Sequence, residues 1–377
     1  MPETFDIAVI GGGISGVSVA ARLAQYARVA VLETEEYLGV HATGRSAALL
    51  VEGYGTPGMR RLSTLSRPFF ESPPSQFAEA SLSSRRAVVV YATQQELPRL
   101  REEFALAQES AIVTWLEADE VAAFCPLLKP GIAAAGFIEP GALELDANAL
   151  LQGFARQVRA AGSSIITDAG LARAQRQSGK WTIEAGRREI ACDVIVNAAG
   201  AWGDKVAENC GVAACGLQPM RRTAVTIGVP PELASVAATH PFVTPVDETF
   251  YFKPGAGALM VSLSEEAPSP PCDAYAEEID VATALERFHE ATIVPRARPI
   301  ATWAGLRTFS RDRLPVVGFD PRVSGFFWYV GQGGIGIQTS PAHSELAAKL
   351  ILGRPLGEIE TGIATSFRPD RFTQAAA

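Results

Sequence analysis

The sequence predicts an α/β protein in which a parallel-sheet domain is interrupted by an inserted α+β domain with an antiparallel sheet. Three observations support this fold class: an opening strand, glycine turn, helix and strand; a run of short alternating strands within residues 218–300 that lacks helical crossovers; and a terminal strand, glycine loop and helix. The length of 377 residues suits two domains of about 100 to 200 residues each.

The first 33 residues read as a βαβ unit. An apolar strand over residues 5–10 enters a glycine turn at 11–16, an Ala- and Leu-rich helix covers 17–25, and a second apolar strand covers 28–32. Two parallel strands need a crossover of this kind. The parallel sheet therefore begins at the start of the chain.

The later pattern distributes the two domains over alternating pieces of the chain. An amphipathic helix over 146–161, followed by the strands SSIIT and CDVIVN, returns the chain to the first domain. We expect the nucleotide-binding domain to comprise residues 1–80, 141–215 and 301–377. The substrate-binding domain is expected to comprise residues 81–140 and 216–300.

Charge and composition disfavour several classes of function. A formal net charge of −8 repels nucleic-acid phosphates and anionic lipid, so we expect no nucleic-acid partner. No apolar run approaches the roughly 18 to 20 residues of a membrane span, and the N-terminus does not resemble a signal peptide. Five cysteines without a CxxC pair indicate a reducing cytoplasm, and no histidine has a partner at metal-ligand spacing, so we expect no metal site.

The glycine turn carries a dinucleotide-binding fingerprint. Gly11, Gly13 and Gly16 form GxGxxG between strand and helix, and Glu33 ends the next strand. The glycines permit the tight turn, the approach of a diphosphate and close helix packing, while the helix N-terminus attracts phosphate. A carboxylate at position 33 suits the unphosphorylated ribose of FAD or NAD.

A second GxGxxG lies near the end of the chain, at Gly331, Gly333 and Gly336. No strand ending in an acid follows its helix, so a second nucleotide is not indicated. Bare backbone N–H groups here suit the pyrimidine edge of a flavin, where negative charge accumulates on reduction. A plain turn is the alternative interpretation.

Four segments together carry a family resemblance: DIAVIGGGISG, HATGRSAA at 41–48, DVIVNAAGAW at 193–202 and the terminal GGIGIQTS. They resemble the D-amino-acid oxidase superfamily of FAD-dependent amine oxidoreductases and, within it, most closely the bacterial D-arginine dehydrogenases. GRSAA, YGTP, QPMRR, WAGLRTF and QGG follow in matching order over nearly the whole chain. The resemblance implies a Rossmann-type, glutathione-reductase-like FAD-binding domain. It also implies non-covalent FAD, because no cysteine lies in or next to WAGLRTF.

The motifs and the resemblance together imply two sets of site residues. The expected cofactor contacts are Gly11, Gly13, Ile14, Ser15, Gly16, Glu33, Thr43, Gly44, Arg45, Ser46, Ala47, Ala199, Gly200, Trp202, Arg307, Gly333, Gly334, Gly336, Ile337 and Gln338. The expected substrate contacts are Tyr54, Arg222, Tyr251, Arg307 and Gly334. Guanidinium groups hold a carboxylate bidentately, and tyrosine hydroxyls add neutral donors.

Alternation limits which of these side chains can share one pocket. Arg222 follows Arg221 at a strand start, so one of the two is expected to face solvent. Tyr251 stands between Phe250 and Phe252, so only one face of that strand can reach the substrate.

The expected substrate is a small or apolar D-amino acid, oxidised at its Cα–N bond by hydride transfer to flavin N5. A cationic substrate would need an acid in the pocket, but the strand where we look for it reads Arg85, Arg86, Ala87, and residues 49–51 are apolar. The positive charge of Arg86 leaves an acidic substrate as an open alternative. The alternatives are a sarcosine- or glycine-oxidase-like secondary-amine oxidase, and an NAD-dependent dehydrogenase or non-redox nucleotide-binding protein. Oxygen, a quinone and a partner protein all stay open as electron acceptor.

Overall fold

The computed structural model describes residues 2–255 and 257–372. The helices in these residues, numbered in chain order, are α1 Ile14–Leu23, α2 Pro57–Glu71, α3 Leu97–Gln108, α4 Ala118–Phe124, α5 Ala147–Ala160, α6 Gly203–Asn209, α7 Ala234–Thr239, α8 Glu278–Ala291, α9 Gly336–Ile351 and α10 Glu358–Phe367. Short 3-10 helices cover Gln94–Glu96, Gly200–Trp202, Pro231–Leu233 and Pro369–Phe372.

The strands of the same residues form four sheets. In chain order they are β1 Glu3–Thr4, β2 Ile7–Ile10, β3 Val29–Leu32, β4 Leu49–Leu50, β5 Ser83–Arg85, β6 Val88–Ala92, β7 Thr114–Glu117, β8 Ala135–Glu139, β9 Leu143–Leu145, β10 Ser164–Ile166, β11 Leu171–Gln177, β12 Lys180–Ala185, β13 Arg188–Cys192, β14 Val194–Asn197, β15 Gln218–Gly228, β16 Phe242–Pro245, β17 Tyr251–Gly255, β18 Ala258–Ser262, β19 Ala267–Pro268, β20 Pro299–Phe309, β21 Val316–Phe319 and β22 Phe326–Val330.

A six-stranded sheet contains the predicted βαβ unit. Its order is β10-β3-β2-β14-β22-β21, with every pair parallel except β21 and β22. All residues of β2 and β3 are buried, as expected for a parallel sheet that is covered on both faces. The predicted α/β fold class is confirmed.

Alternate residues of β2 enter the two cores that cover this sheet. Ile7 and Val9 pack with helices α1, α5 and α9, whereas Ala8 and Ile10 pack with Trp181 and the other core residues on the opposite face. That opposite face is covered by α6 and a four-stranded sheet, ordered β1-β13-β12-β11. The sheet therefore holds its strand ends rigidly between two apolar layers.

The second large sheet has nine strands and is mostly antiparallel. Its order is β19-β15-β18-β17-β16-β6-β8-β7, and β20 pairs with β15. The β15 and β20 strands are aligned from Gln218 opposite Phe309 to Ile227 opposite Pro299. The domain boundary that we expected at residue 301 therefore falls inside a strand of this sheet. The remaining sheet has three strands, ordered β4-β9-β5.

Helix α2 was not predicted from the sequence. It begins at Pro57 and continues through Pro68. It packs against α9, where the Ser66 hydroxyl donates to the Thr339 carbonyl at 3.2 Å and accepts from the Ala342 amide at 3.1 Å. Within 2–255 and 257–372, no helix combines the length and apolar character needed to cross a bilayer.

Candidate active site

A cleft of about 360 Å³ opens where the carboxyl ends of β2, β3 and β14 meet one face of the nine-stranded sheet. This is the edge at which open α/β sheets bind ligands. The predicted residues that line the cleft are Gly11, Gly13, Ile14, Ser15, Glu33, Thr43, Arg45, Ser46, Ala47, Ala199, Gly200, Trp202, Arg222, Tyr251, Arg307, Gly333, Gly334, Gly336 and Ile337. Four predicted residues lie outside this lining: Gly16, Gly44, Tyr54 and Gln338.

The glycine turn between β2 and α1 is shaped by close backbone packing. Gly11 has a φ of +109°, and a Cβ there would lie 2.6 Å from the Ala198 carbonyl oxygen. A Cβ on Gly16 would lie 1.9 Å from the Gly11 carbonyl oxygen. Gly16 therefore lets the helix approach the strand, as predicted for the third glycine of the motif, but it lies behind the cleft wall.

Glu33 fixes the far end of the cleft. Its Oε2 accepts from the Gly12 amide at 2.6 Å, and its Oε1 accepts from the Glu35 amide at 2.9 Å. A carboxylate offers about four acceptor sites, so both oxygens can still accept from ribose hydroxyls. The donor and acceptor set at this end fits the adenosine half of a dinucleotide.

The segment after β3 contributes its wall through Thr43 and Arg45. Thr43 Oγ1 accepts from the Ile14 amide at 3.0 Å, which joins this segment to the start of α1. Gly44 lies outside the lining because its amide bonds the Gly39 carbonyl at 2.8 Å and a Cβ would lie 2.7 Å from that oxygen. The expectation that Gly44 contacts the cofactor directly is therefore not supported by its position.

The Arg45 guanidinium is engaged by the protein rather than directed into open space. Nη1 donates to the Ala274 carbonyl at 2.6 Å and to the Ala304 carbonyl at 2.9 Å, and Nη2 pairs with Asp273. Arg45 lines the cleft, and its charge ties the 41–48 segment to β20 and the loop before α8.

The second glycine loop, between β22 and α9, lines the cleft beside Arg307. The Gly333 amide donates to the Thr308 carbonyl at 3.0 Å, and Gly333 has a φ of +58°. A Cβ on Gly334 would lie 2.7 Å from Cζ of Arg307. The structure therefore brings Arg307 and Gly334 together, as the sequence predicted.

Gln338, a predicted cofactor contact, lies outside the cleft lining. Its Nε2 donates to the Val51 carbonyl at 3.2 Å and to the Ser63 hydroxyl at 2.7 Å, while its Oε1 accepts from the Val51 amide at 3.3 Å. These bonds satisfy the donors and the acceptor of the buried side-chain amide. Gln338 therefore secures the chain before Tyr54 instead of lining the cofactor cleft.

Arg222 and Arg307 lie side by side on β15 and β20. Arg222 is opposite Gly305 and Arg307 is opposite Met220, so the two arginines are diagonal neighbours on the same face. Arg221 points to the other face, where it pairs with Glu277 and Asp280. This separation of the consecutive arginines agrees with the predicted alternation.

Tyr251 reaches the cleft, and its two phenylalanine neighbours do not. Its ring stacks on Phe242 with centroids 4.9 Å apart and packs with Ala224 and Met260. Phe250 and Phe252 instead belong to the core on the other face of the nine-stranded sheet. Alternation along β17 therefore selects the tyrosine for the site.

The two arginines create an anion-binding position. Burial and the neighbouring Arg307 charge lower the pKa of Arg222, whose Nε donates to the Glu265 carbonyl at 2.7 Å. The Arg307 side chain has no hydrogen bond or ion pair with any residue that the structure describes. Two adjacent guanidinium groups repel each other, and a bound carboxylate would relieve this repulsion.

Tyr54 is not part of the lining, but it lies close enough to both arginines to feel their charges. Its side chain is 41% exposed. Burial and the Glu248 charge nevertheless raise the pKa of Tyr54, and the Arg307 and Arg222 charges oppose that rise. Our search for an acid was limited to the strand at residues 85–87, and no local pattern connects Glu248 with Tyr54.

Arg86 does not provide the predicted opening for an acidic substrate. It lies outside the described cleft lining. Its Nη2 pairs with Glu144 at 3.0 Å, and its Nη1 donates to the His240 carbonyl at 2.8 Å. Its charge is therefore satisfied within the protein.

Several lining residues were missed by the sequence analysis, including His41, Leu171, Lys205, Met260 and Cys272. His41 bonds Glu35 at 2.9 Å and packs on Trp202 with ring centroids 4.6 Å apart. Its only sequence signal was its position just before the GRSAA segment. No group of three potential metal ligands occurs among the described residues.

Comparisons with known proteins agree with this geometry. The family model for FAD dependent oxidoreductase matches residues 6–350. Glycine oxidase from Bacillus licheniformis is 25% identical over 392 residues, which cover 98% of each chain. The structure of L-proline dehydrogenase from P. horikoshii superposes with a TM-score of 0.85 at 19% identity, covering 99% of both chains.

A third comparison concerns a structure with its cofactor. L-alpha-glycerophosphate oxidase from Mycoplasma pneumoniae, solved with FAD bound, has a TM-score of 0.82 at 17% identity and covers 93% of this chain and 95% of that one. The family match confirms FAD as the cofactor and leaves the NAD-dependent alternative without support. The particular closeness to D-arginine dehydrogenases stays a prediction. This chain belongs to the FAD-dependent oxidoreductase family, the D-amino-acid oxidase superfamily that its motifs indicated.

Proposed function

We propose that this enzyme oxidises the Cα–N bond of a small or apolar D-amino acid to the imino acid, which water then converts to a 2-oxo acid and ammonia. One observation carries the proposal: Arg222 and Arg307 lie on one face at the substrate end of the FAD cleft, and the Arg307 side chain has no partner within the described residues. This arrangement fits the carboxylate of an amino acid.

The arginines would bind that carboxylate from adjacent strands. Each guanidinium presents a planar fork of donors that matches two carboxylate oxygens, and such charge-assisted bonds are about twice as strong as neutral ones. The Tyr251 hydroxyl adds a neutral donor from β17, and Tyr54 adds another. The substrate is thereby fixed at one end.

The substrate amine would donate to the Gly334 carbonyl. Because position 334 has no side chain, the Arg307 guanidinium can lie beside the glycine backbone. The carboxylate and amine of the same substrate are thus held at two points, which defines the direction of the Cα hydrogen. FAD, when bound, would supply the acceptor for that hydrogen as hydride. Such positioning can contribute roughly 7 to 11 kcal/mol to lowering the barrier.

The wall next to the arginines supports a small or apolar substrate side chain. Ala224, Tyr251 and Met260 form a buried apolar cluster there, with Ala47 and Trp303 packed against it. An apolar surface stabilises an apolar side chain by roughly 25 cal/mol per Å² buried. A charged side chain would lose its hydration against this wall, since the apolar cluster itself offers no opposite charge.

A secondary amine is the second candidate substrate. The similarity to the L-proline dehydrogenase structure favours it, because a cyclic secondary amine with a carboxylate would use the same carboxylate clamp. The two candidates differ in what is attached to nitrogen and in stereochemistry, so a substrate panel separates them.

The test is anaerobic bleaching of the bound flavin. The FAD-loaded enzyme is mixed with D-alanine, D-valine and D-methionine, their L-enantiomers, glycine, sarcosine and L-proline, and the visible absorption is followed. Bleaching by the D-amino acids is expected. Bleaching by sarcosine or L-proline alone would favour the secondary-amine candidate, and bleaching by L-enantiomers alone would reject the proposed stereochemistry.

The FAD is proposed to be non-covalent. Cys272 does line the cleft, but its Sγ lies 3.6 Å from the Ser269 hydroxyl, and it lies well outside the WAGLRTF segment. Acid precipitation should therefore leave a colourless pellet and a yellow supernatant. A yellow pellet that turns colourless in a Cys272→Ala variant would contradict this and assign the linkage.

A further inference from the structure

The loop that carries Tyr54 is fixed at its base by a buried carboxylate outside the cleft. Glu139, the last residue of β8, is only 3% exposed. Its Oε1 accepts from the Glu52 amide at 2.8 Å, and its Oε2 accepts from the Gly53 amide at 3.1 Å. Both oxygens therefore hold the two residues that immediately precede Tyr54.

Other contacts confine the same loop from the opposite side. Gln338 bonds both backbone groups of Val51, and the Ser110 hydroxyl donates to the Glu52 carbonyl at 2.8 Å. A Cβ on Gly53 would lie 3.0 Å from Glu139 Oε2 and from the Ala107 Cβ. The backbone before Tyr54 thus has little room to move while the carboxylate bonds are intact.

These two bonds depend on the ionised form of Glu139. A carboxylate only accepts hydrogen bonds, whereas a protonated carboxyl presents a hydrogen on one oxygen, which would face a backbone N–H. Burial raises the pKa of Glu139 to about 7, although the two amides and the Arg67 charge oppose the rise and Glu52 adds to it. The charged neighbours are Glu52 and its partner Arg67, 2.6 Å apart, with Arg67 also paired to Glu71.

We infer that Glu139 is a positioning residue, which holds the Glu52 and Gly53 amides and thereby sets the place of the Tyr54 hydroxyl over the substrate carboxylate. The inference rests on the proposed function, since it takes Tyr54 as a substrate contact. It further implies that proton uptake by Glu139 loosens the loop and weakens substrate binding without changing the oxidation step.

The first test is the Glu139→Gln variant of the FAD-loaded enzyme. Glutamine keeps one acceptor but turns N–H donors toward the other amide. At pH 8 we expect KM for the bleaching substrate to rise about tenfold, equivalent to about 1.4 kcal/mol, with kcat within about twofold of wild type. Wild-type kcat/KM should also fall as pH drops through about 7, and this inflection should be absent from the variant.

Glu71→Gln is the matched control. It removes a carboxylate that is 49% exposed and shares Arg67 but does not touch the loop, so KM and the pH profile should match wild type. Equal losses in kcat and KM for Glu139→Gln, or an unchanged inflection near pH 7, would overturn the inference.

A double-mutant cycle tests whether Glu139 acts through Tyr54. If it does, adding Glu139→Gln to Tyr54→Phe should change KM by less than about twofold, because contacting or coupled residues are not additive. Full additivity would overturn the inference. If Glu139→Gln does not fold, Gly53→Ala displaces the same loop and should raise KM with kcat retained; loss of kcat alone would count against the idea.

Hydrogen exchange separates failure of this inference from failure of the proposed function. At one pH, the amides of Glu52 and Gly53 should exchange faster in Glu139→Gln than in wild type, whether or not any amino acid bleaches the flavin. Unchanged exchange would overturn the claim about the loop. Absence of bleaching by every amino acid, with faster exchange, would overturn only the proposed substrate class.

Discussion

At the scale of single residues, the proposed substrate recognition depends most on Arg307. Arg307→Ala is expected to lower kcat/KM for the bleaching substrate by about 100- to 10,000-fold, because two charge-assisted bonds of about 1.5 to 3 kcal/mol each would be lost. Arg307→Lys keeps the charge but not the planar fork, so an intermediate loss is expected. Steady-state assays with a dye acceptor measure both variants.

The control for this prediction is an arginine whose charge is paired at the surface. Arg188 contacts Glu3 at 2.7 Å, and its side chain is 50% exposed. Arg188→Ala should leave kcat/KM near the wild-type value. If Arg307→Ala also does so, Arg307 does not bind the substrate carboxylate.

At the scale of elements, FAD binding depends on how closely α1 approaches β2. Gly16→Ala would place a Cβ 1.9 Å from the Gly11 carbonyl oxygen, so the helix must move and the glycine turn must change shape. We expect less than about half of the wild-type FAD per polypeptide, measured as the ratio of flavin to protein absorbance, because the turn and helix N-terminus bind the diphosphate.

Gly362→Ala is the matched glycine control for this element. Gly362 lies inside α10, and a Cβ there would have no atom within 4 Å. The substitution should keep full FAD content and stabilise the protein by about 0.5 to 1 kcal/mol, because alanine favours a helix interior over glycine. Full FAD content in Gly16→Ala would show that the turn tolerates displacement of α1.

Elements that local sequence patterns define could be predicted, whereas an element that depends on long-range contacts could not. The βαβ unit and α9 could be predicted because local periodicity and glycine turns define them. Helix α2 could not, because Pro68 is a helix-breaking residue within its sequence and its buried face includes Ser63 and Ser66. These serines are accommodated by hydrogen bonds such as that from Ser66 to Thr339, which no local pattern reveals.

The same distinction applies to the site. Arg222, Arg307 and Gly334 could be predicted because they lie in motifs that resemble a known family. The partners of Arg45 could not: Ala274 and Ala304 lie 229 and 259 positions away, and only the packing of the two large sheets brings them together. The bonds of Gln338 could not be predicted for a related reason, since it lies in the terminal motif but its partner Val51 lies 287 positions away.

At the scale of the whole molecule, the cofactor and substrate ends of the cleft are fixed to each other. Arg45 donates to Ala304 in β20, and the Trp303 indole donates to the Arg45 carbonyl at 3.2 Å. Arg307 follows in the same strand, three residues after Ala304. A single strand therefore joins the segment that is proposed to bind FAD to the arginine that is proposed to bind substrate.

Acid stability of the whole molecule depends on His343. The ring is buried between Tyr329 and Phe367, and both nitrogens lack a hydrogen-bond partner in the described residues. Burial lowers the pKa of His343 from 6.5 to about 3. Between these values the unfolded chain binds a proton that the folded protein does not, so stability falls as pH drops below about 6.5. The contribution of Glu139 to the pH dependence of stability has the opposite sign. Because its pKa is raised in the folded protein, the stability that it contributes is lost as pH rises from 4.5 to about 7.

His343→Leu should therefore reduce the acid sensitivity of the fold. From pH 7 to pH 5 the histidine alone accounts for a loss of about 2 kcal/mol in the free energy of unfolding. The variant should lose about that much less than wild type, because leucine does not titrate and Glu139 contributes equally to both proteins. Urea unfolding of the two proteins at pH 7 and pH 5, at one FAD concentration, measures the difference. Parallel losses in the two proteins would mean that His343 is protonated in the folded state at pH 5 and that its surroundings are more polar than this packing implies.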